Sequence, residues 1–369
     1  MQKLSVSIIG TRGYPSYYGG FETAVRHLAP FLCDAGWDVT VYGRAGANSP
    51  DDPDRDPRVG SRLTRGVESR SMSTLTFGLT ASIDAAFRRR PSVALVMNVA
   101  NGFYLPMLRA SRIPTLVNVD GIEWDREKWG QAAKRMFRAG ARLTAQHATE
   151  LVFDARAIRD RWERDFGRSG TFIPYGGTAP GELSPPMGLT SGEYVLVVAR
   201  FVPENTVPEF LRAVESIARD SPVVIVGSTG YGGELDEYAQ RLDAEHSNVH
   251  WLGHVRDDGL LFALLQHAGV YFHGHSVGGT NPALVQAMAC GAPVVARDTV
   301  YNREVLEQNA LFVKPDPESI ASGITELMRD PVRREAFREG VRRRSQREYT
   351  WDLVCERYEA TLRRLAAGS

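Results

Sequence analysis

The stretch HGHSVGGTNPALVQAMACGAPVVARD, residues 273–298, joins a glycine-rich loop to a helix and then to a buried strand. Asn281 is a residue type that caps helix N-termini, and Pro282 suits the first helical turn. Gly291 is placed to end the helix, and the apolar run 294–296 predicts a strand. Because a helix that begins behind glycines presents free N–H groups and the positive end of its dipole, the segment predicts a phosphate site.

Outside this stretch, short apolar runs alternate with helical segments along the whole chain. In the first half the predicted strands are residues 4–9, 38–42, 93–98, 115–119, 151–153 and 171–173. In the second half they are residues 194–199, 222–226, 249–252, 270–273, 293–296 and 310–313. The polar segment 45–59 predicts a loop. This alternation predicts an α/β protein with two Rossmann-like, doubly wound parallel sheets facing across a cleft, where ligands of such sheets bind.

Composition narrows the class of protein. The chain has 369 residues, of which 43% are hydrophobic, and its formal net charge is zero, which argues against nucleic acid as the main partner. Three cysteines at scattered positions predict reduced thiols, not disulfides or a metal site. No apolar stretch reaches the length of a membrane span and no signal peptide is evident, so we expect a cytoplasmic protein.

A second glycine-rich segment, GTRGYPSYYGGFET at residues 10–23, follows the first predicted strand and opens the first helix. Gly19 and Gly20 let the backbone approach a ligand at a helix start, where an anion is favoured. The spacing differs from G-x-G-x-x-G, so the dinucleotide fingerprint is absent. The alternative is a long surface loop with structural glycines, but its place after the first strand favours a binding role. Tyr18 belongs to this loop and is a candidate for ligand contact.

Acidic and aromatic residues follow the predicted strand 115–119 in the segment NVDGIEWDREKWG, residues 118–130. Asp120 stands at the carboxyl end of the strand, where sheet ligands bind. Glu123, Trp124 and Asp125 follow. Tryptophan faces suit sugar rings, and the carboxylates suit a cationic, amino-bearing molecule. The alternative is a charged helix start whose tryptophans belong to the core.

The second half offers further polar residues at strand ends. Arg200 follows its first strand and is positioned to bind a diphosphate through its guanidinium, although an ion pair between domains is the alternative. Gly227 either approaches the nucleotide or forms a plain turn, and Glu304 either bonds a sugar or ribose hydroxyl or caps a helix. His273 and His275 lack a third ligand at metal spacing, so we reject a zinc site and expect hydrogen bonding or packing.

Taken together, these segments resemble glycosyltransferase family 4, and most closely its rhamnosyltransferase-like bacterial subgroup, through the GTRG-x-P-x-x-YGGFET start and the HSVGGTNP loop. The resemblance covers nearly the whole chain. It implies the GT-B fold, a nucleoside-diphosphate sugar as donor, retention of anomeric configuration, and no cofactor or obligatory metal. It also implies that the diphosphate is held by Gly19, Gly20, Arg200, Gly279, Thr280 and Asn281. The nucleoside and sugar are assigned to Gly227, Gly278, Gln286, His273 and Glu304, and the sugar acceptor to Tyr18, Glu123, Trp124 and Asp125.

Composition and the resemblance together set the domain expectations. Residues 1–178 are the acceptor-side domain, 179–192 a linker rich in glycine, proline, serine and threonine, and 193–348 the nucleotide-sugar domain. Residues 349–369 are expected to form a helix that crosses back onto the first domain.

Three departures from the family pattern bear on the donor. The wider family has two glutamates in the donor loop where this chain has Gly278 and Gln286, and its lysine is replaced by Asn205. The second glutamate normally holds the ribose hydroxyls, whereas Gln286 carries no charge. A deoxyribose has one hydroxyl fewer, so we favour a dTDP-linked, 6-deoxy sugar.

In the expected mechanism, Arg200 and backbone N–H groups stabilise the leaving diphosphate, and Asp120 orients or deprotonates the acceptor hydroxyl. The acceptor is a small molecule, amino-bearing and aminocyclitol-like, or a saccharide. A lipid-linked acceptor competes with it, since the basic segments 88–90 and 134–142 are suited to peripheral contact with anionic lipid. We expect a monomer or homodimer. Two alternatives remain: a catalytically silent nucleotide-sugar-binding homologue, and a sugar-nucleotide epimerase of GT-B fold.

Overall fold

The computed structural model describes residues 3–17, 19–46, 51–67, 73–126 and 129–368. The chain divides into two compact units, residues 1–175 together with 351–369, and residues 176–350. We call them unit 1 and unit 2. Within the described ranges, no helix has both the length and the apolar character that crossing a bilayer requires.

Unit 1 is built on a parallel sheet of seven strands in the order β3-β2-β1-β4-β5-β6-β7. Its strands are β1 Ser5–Ile9, β2 Asp38–Gly43, β3 Gly60–Leu63, β4 Val93–Met97, β5 Thr115–Asn118, β6 Glu150–Phe153 and β7 Thr171–Phe172. Its helices are α1 Gly20–Asp34, α2 Ser73–Asp84, α3 Leu105–Ala110, α4 Gln131–His147, α5 Arg156–Phe166 and α13 Trp351–Ala367. Shorter helical turns are Ala85–Arg89, Val99–Tyr104 and Glu123–Asp125. The strand order reverses between β1 and β4.

Unit 2 repeats this plan with six parallel strands in the order β10-β9-β8-β11-β12-β13. The strands are β8 Val195–Val198, β9 Val223–Val226, β10 Val249–Trp251, β11 Val270–His273, β12 Val294–Arg297 and β13 Ala310–Val313. The helices are α6 Val207–Ile217, α7 Glu234–Glu245, α8 Asp258–His267, α9 Pro282–Cys290, α10 Val300–Leu306, α11 Pro317–Met328 and α12 Pro331–Glu348. Short 3-10 turns are Pro186–Gly188 and Pro203–Asn205. Here the order reverses between β8 and β11.

Helices cover the sheets because the central strands are apolar on both faces. Strand β4 (VALVM) is fully buried, as is β9 (VVIV), which is the pattern expected of parallel strands that lie between two helical layers. In unit 2, alternate residues of β8 and β11 join the core under α6 and α11, where Phe210 stacks on Phe272. Such burial fixes the level at which each strand ends, and therefore where the loops that follow begin.

The predicted fold class is confirmed, and each predicted strand lies within two residues of the bounds of an observed strand. One strand was missed. Strand β3, GSRL, pairs with β2 at the edge of the sheet and is largely exposed, so its side chains carry no alternating apolar pattern. Only the backbone pairing with residues 40–43 defines it.

The last helix, α13, packs within unit 1. It contacts α1, β4 and β5, and its Trp351 ring stacks on His27 with centroids 4.3 Å apart. The chain thus returns to the first sheet after completing the second, and it brings Tyr358 beneath the carboxyl end of β5.

Candidate functional site

The two adjacent strands at which the order of the second sheet reverses, β8 and β11, carry the predicted donor residues of unit 2. Arg200 lies two residues beyond the end of β8, and the glycine loop starts directly after β11. In open α/β sheets, ligands bind at this switch point outside the carboxyl ends of the strands. The topology therefore brings together two segments that lie about 75 residues apart in the sequence.

Helix α9 begins as predicted. The Asn281 side chain accepts a hydrogen bond of 2.9 Å from the Ala283 N–H, Pro282 occupies the first turn, and Gly291 ends the helix with a φ of 76°. Gly278 has a φ of +101°, a conformation that favours glycine. Thr280 is buried behind Gly279 and Gly278. The helix start thus has the shape of an anion site.

Arg200 is exposed, and its guanidinium forms no hydrogen bond or ion pair within the part of the chain that the structure describes. Its backbone is fixed, because the buried Asn205 side chain donates to the Arg200 carbonyl oxygen over 2.9 Å. Asn205, which replaces the family lysine, therefore shapes the loop that carries the arginine.

Three residues that the sequence analysis did not single out connect the loops after β8 and β11. Ser276 donates to the Glu204 carbonyl oxygen from its N–H over 2.9 Å and from its hydroxyl over 2.8 Å. The buried Thr206 hydroxyl donates to the Gly274 carbonyl oxygen over 2.6 Å and accepts from Arg297 over 3.0 Å. These bonds hold the arginine loop beside the glycine loop. The sequence marks Ser276 and Thr206 only weakly, as hydroxyl residues two positions from a glycine or proline.

His273 is fully buried at the end of β11. The Tyr271 hydroxyl and His273 Nδ1 are hydrogen-bonded at 3.1 Å, and the His273 ring stacks on His275 with centroids 4.4 Å apart. Burial first, and then the neighbouring His275, lower the pKa of His273 well below its ordinary value, so the ring is neutral at physiological pH. Among the described residues, His273 Nε2 has no hydrogen-bond partner.

Gln286 uses both ends of its amide on the chain itself. Its Oε1 accepts from the Thr178 N–H over 3.0 Å, and its Nε2 donates to the Thr178 carbonyl oxygen over 2.7 Å. Gln266 on α8 does the same a few residues on, accepting from the Leu183 N–H and donating to the Gly181 carbonyl oxygen. Gln266 and Gln286 therefore anchor the segment 178–183 to helices α8 and α9. A ribose contact by Gln286 would have to replace its bonds to Thr178.

Two further predicted donor residues have local structural roles. Gly227, with a φ of +131°, lies so close to the Ala199 carbonyl oxygen that a Cβ there would collide with it. It also accepts a hydrogen bond from the Trp251 indole over 2.9 Å. Glu304 lies within α10, and its carbonyl oxygen accepts from Arg344 over 2.8 Å. Gly227 is thus required for packing, whatever it contacts in a ligand.

In unit 1 the first glycine loop ends at Gly19, which precedes α1 in extended conformation. Buried Glu22 in the first turn of α1 accepts from the Arg12 N–H over 3.1 Å, and so closes the loop onto the helix. Gly20 is the first residue of the helix. Tyr18, assigned to the acceptor, lies outside the described residues.

Asp120 is held in the left-handed backbone region, with a φ of +60°. The Asn118 side chain accepts from the Asp120 N–H over 2.9 Å and donates to the Tyr358 hydroxyl over 2.7 Å. Burial, and then the charges of Asp120 and Asp154, raise the pKa of Tyr175 well above its ordinary value. The last helix therefore supports the conformation of the carboxylate at the end of β5.

The remaining acceptor residues are engaged inside unit 1. Glu123 is 3% exposed, accepts from the Trp129 indole over 2.8 Å and pairs with Arg126 at 2.8 Å. Trp124 is 7% exposed and packs against the rings of Trp162 and Phe166, with centroids 6.2 Å and 5.8 Å away.

Asp125 is paired as well, with Arg161 at 3.1 Å. The structure thus matches the alternative of a charged turn with tryptophan in the core. Glu127, the fourth carboxylate of the segment, is outside the described residues. Elsewhere in the described ranges, no cluster of three or more histidine, cysteine, aspartate or glutamate side chains is arranged to hold a metal ion.

Comparison with known families matches each half of the chain to one family. Residues 19–176 match the family described as glycosyl transferase 4-like domain, and residues 188–344 match glycosyl transferases group 1. The chain belongs to the glycosyltransferases. The two matches correspond closely to unit 1 and unit 2.

Curated relatives of this glycosyltransferase include two mannosyltransferases. A phosphatidyl-myo-inositol mannosyltransferase of Mycobacterium leprae is 29% identical over 225 residues, covering 56% of this chain and 57% of that protein. A GDP-mannose-dependent monoacylated alpha-(1-6)-phosphatidylinositol monomannoside mannosyltransferase of Corynebacterium glutamicum is 28% identical over 170 residues, 43% of this chain and 44% of that protein. The matches thus span only about half the length of these relatives.

Solved structures show the fold of this glycosyltransferase over its whole length. Sucrose-phosphate synthase of Thermosynechococcus elongatus has a TM-score of 0.80 at 19% identity, covering 99% of this chain and 100% of that one. Anabaena HepE, crystallised with UDP, has a TM-score of 0.76 at 16% identity, covering 97% and 99%. The prediction of the GT-B fold is confirmed.

Proposed function

We propose that the chain transfers a glycosyl group from a nucleoside-diphosphate sugar to an acceptor hydroxyl, with retention of anomeric configuration. One observation carries the proposal: the switch point of unit 2 combines the exposed Arg200 with the capped start of α9. A guanidinium and a helix N-terminus both favour a diphosphate. They stabilise it most as it leaves, because its negative charge then increases.

The role proposed for Asp120 follows from its place at the end of β5. Its side chain orients the acceptor hydroxyl or takes its proton, and the bonds from Asn118 fix the backbone in the conformation that presents it. Restraint of this kind reduces the entropy that must be lost on reaching the transition state. A phosphate oxygen of the donor is the other proton acceptor that the chemistry allows.

For the donor we propose a dTDP-linked 6-deoxy sugar, supported by the uncharged Gln286 at the position where the family has a glutamate. The Thr178 contacts of Gln286 weaken this support. The relatives differ in the base, since one is named for GDP-mannose and HepE was crystallised with UDP.

For the acceptor we propose a saccharide or another neutral hydroxyl compound. We do not propose an amino-bearing acceptor, because Glu123 and Asp125, the carboxylates expected to bind its amino group, are already paired with arginines.

Thermal unfolding with thymidine, uridine, guanosine and adenosine diphosphates tests the donor site. A ligand that binds the native state raises the melting temperature by mass action. We expect a shift with at least one nucleotide, largest with thymidine, and a roughly 10- to 100-fold loss of affinity in Arg200→Ala. Arg212→Ala, which removes another exposed arginine of unit 2, should bind like the parent. Equal affinity of Arg200→Ala and the parent protein would contradict the proposed site.

Turnover separates the remaining alternatives. Release of nucleoside diphosphate that depends on an added acceptor supports transfer. Binding without turnover would identify a silent homologue, and interconversion of donor sugars without acceptor would identify an epimerase.

A further inference from the structure

Unit 1 exposes a row of large apolar side chains along α2. Leu79, Ile83 and Phe87 follow each other at intervals of four residues, on α2 and the helical turn that continues it, and are 41%, 43% and 62% exposed. Residues four apart lie on the same face of a helix. The row is therefore a continuous stripe on the surface, not a set of scattered residues.

A neighbouring segment widens this stripe. Residues 62–67 run beside α2, as three contacts show: Arg62 pairs with Asp84 at 3.0 Å, Thr80 donates to the Arg65 carbonyl oxygen over 2.8 Å, and Thr76 accepts from the Val67 N–H over 3.0 Å. Leu63 and Val67 of this segment are also more than 60% exposed.

Of the ten large hydrophobic residues that the described chain exposes, five gather here. We call these five residues, Leu63, Val67, Leu79, Ile83 and Phe87, the α2 surface. Clustering of this kind marks an interaction site, whereas single exposed apolar residues are ordinary.

Charge around the α2 surface is strongly positive. Five arginines lie in the segments that carry it or directly follow them: Arg62, Arg65, Arg88, Arg89 and Arg90. Two described carboxylates accompany them, since Asp84 is shared by Arg62 and Arg88, and Asp38 pairs with Arg89. The whole chain has a net charge of zero, so this excess is local.

We propose that the α2 surface binds the anionic surface of a lipid bilayer. An apolar stripe bordered by arginines matches a membrane interface, where the stripe enters the boundary of the acyl chains and the guanidiniums reach the lipid phosphates. A second copy of the chain fits less well, because two such surfaces would place arginines against arginines. The proposal does not depend on the donor site, which lies in unit 2.

Vesicle flotation with the purified full chain tests this proposal. We expect binding to phosphatidylcholine vesicles that contain phosphatidylglycerol, no binding to phosphatidylcholine alone, and release as salt is raised. Phe87→Gln should weaken binding about tenfold, because the ring no longer leaves water. Arg88→Glu should weaken it about 25-fold, because two charges change near the lipid.

Matched controls lie on α12 of unit 2. Val332→Gln alters a side chain that is also exposed, and Arg343→Glu alters an arginine that, like Arg88, pairs with a carboxylate one turn away. Both should bind vesicles like the parent protein. Nucleotide-induced thermal shifts should be unchanged in all four variants, which shows that unit 2 is intact and tests the donor site separately.

Three results would overturn the proposal: equal binding to neutral and anionic vesicles, no binding to either, and equal losses in the α12 controls. A dimer in solution that Phe87→Gln dissociates, without vesicle binding by the parent protein, would assign the α2 surface to a second copy instead.

Discussion

The segment after β5 in unit 1 and the loops after β8 and β11 in unit 2 all follow the carboxyl ends of inner strands in two similar sheets, yet they use their polar residues in opposite ways. In unit 2 the loops are fastened through backbone carbonyls and small side chains, which leaves the Arg200 guanidinium exposed. In unit 1 the side chains of Glu123 and Trp124 themselves stabilise the segment after β5. Only Asp120 lies at the strand end with its backbone N–H hydrogen-bonded to the Asn118 side chain.

This difference shows which side chains at a strand end remain available to bind a ligand. A long side chain can serve a ligand only if its loop is stabilised by other groups. Asn205 and Thr206 do this for Arg200, and Asn118 with Tyr358 does it for Asp120. Where other groups do not stabilise the loop, its charged side chains pair with one another and its tryptophan packs into the core.

The largest expected effect is on Trp124. Trp124→Ala should lower the free energy of unfolding by about 4 kcal/mol, because it leaves a cavity among Trp162 and Phe166. Urea denaturation measures the loss. Trp124→Phe should retain most of the stability, since the ring packing is kept and the Trp124 indole N–H has no partner among the described residues.

The opposite result would contradict the view that Trp124 serves the core of unit 1 and does not bind a ligand. If Trp124→Ala left stability unchanged and raised only the KM of an acceptor, Trp124 would be a ligand platform, as the sequence analysis assigned it. The same assay on Tyr231→Ala, an exposed aromatic residue of unit 2, should show no loss of stability.

These outcomes bear on what a sequence can reveal. The start of α9 was predictable residue by residue, because caps, proline and glycine act locally through backbone geometry. The burial of Trp124 was not, since it depends on Trp162 and Phe166, which are near only after α5 has packed. Strand β3 was missed for a related reason, because pairing with β2 creates it and its side chains stay in solvent.

A smaller effect is expected for Glu123→Gln. The change removes a charge that pairs with Arg126 and retains an oxygen for the Trp129 indole, so we expect a loss of about 2 kcal/mol of stability. Acceptor KM should not change. Asp125→Asn is the matched control, because its partner Arg161 also pairs with Asp165, and the pair is more exposed. Its cost should be below about 1 kcal/mol. A raised acceptor KM in Glu123→Gln, without loss of stability, would restore the cationic-acceptor hypothesis.

The smallest effect sharpens the comparison within unit 2, between the twin glutamines of α8 and α9. Gln286→Glu and Gln266→Glu each remove an amide donor to a backbone carbonyl and set a carboxylate beside it, so each should cost about 1 kcal/mol of stability. Nucleotide preference then distinguishes them. If Gln286 also reads the ribose, Gln286→Glu alone should shift preference from thymidine towards uridine diphosphate, because a carboxylate accepts from two ribose hydroxyls. If the two variants had the same nucleotide preference, Gln286 would only anchor the segment that contains Thr178. Other residues of unit 2 would then select the donor base.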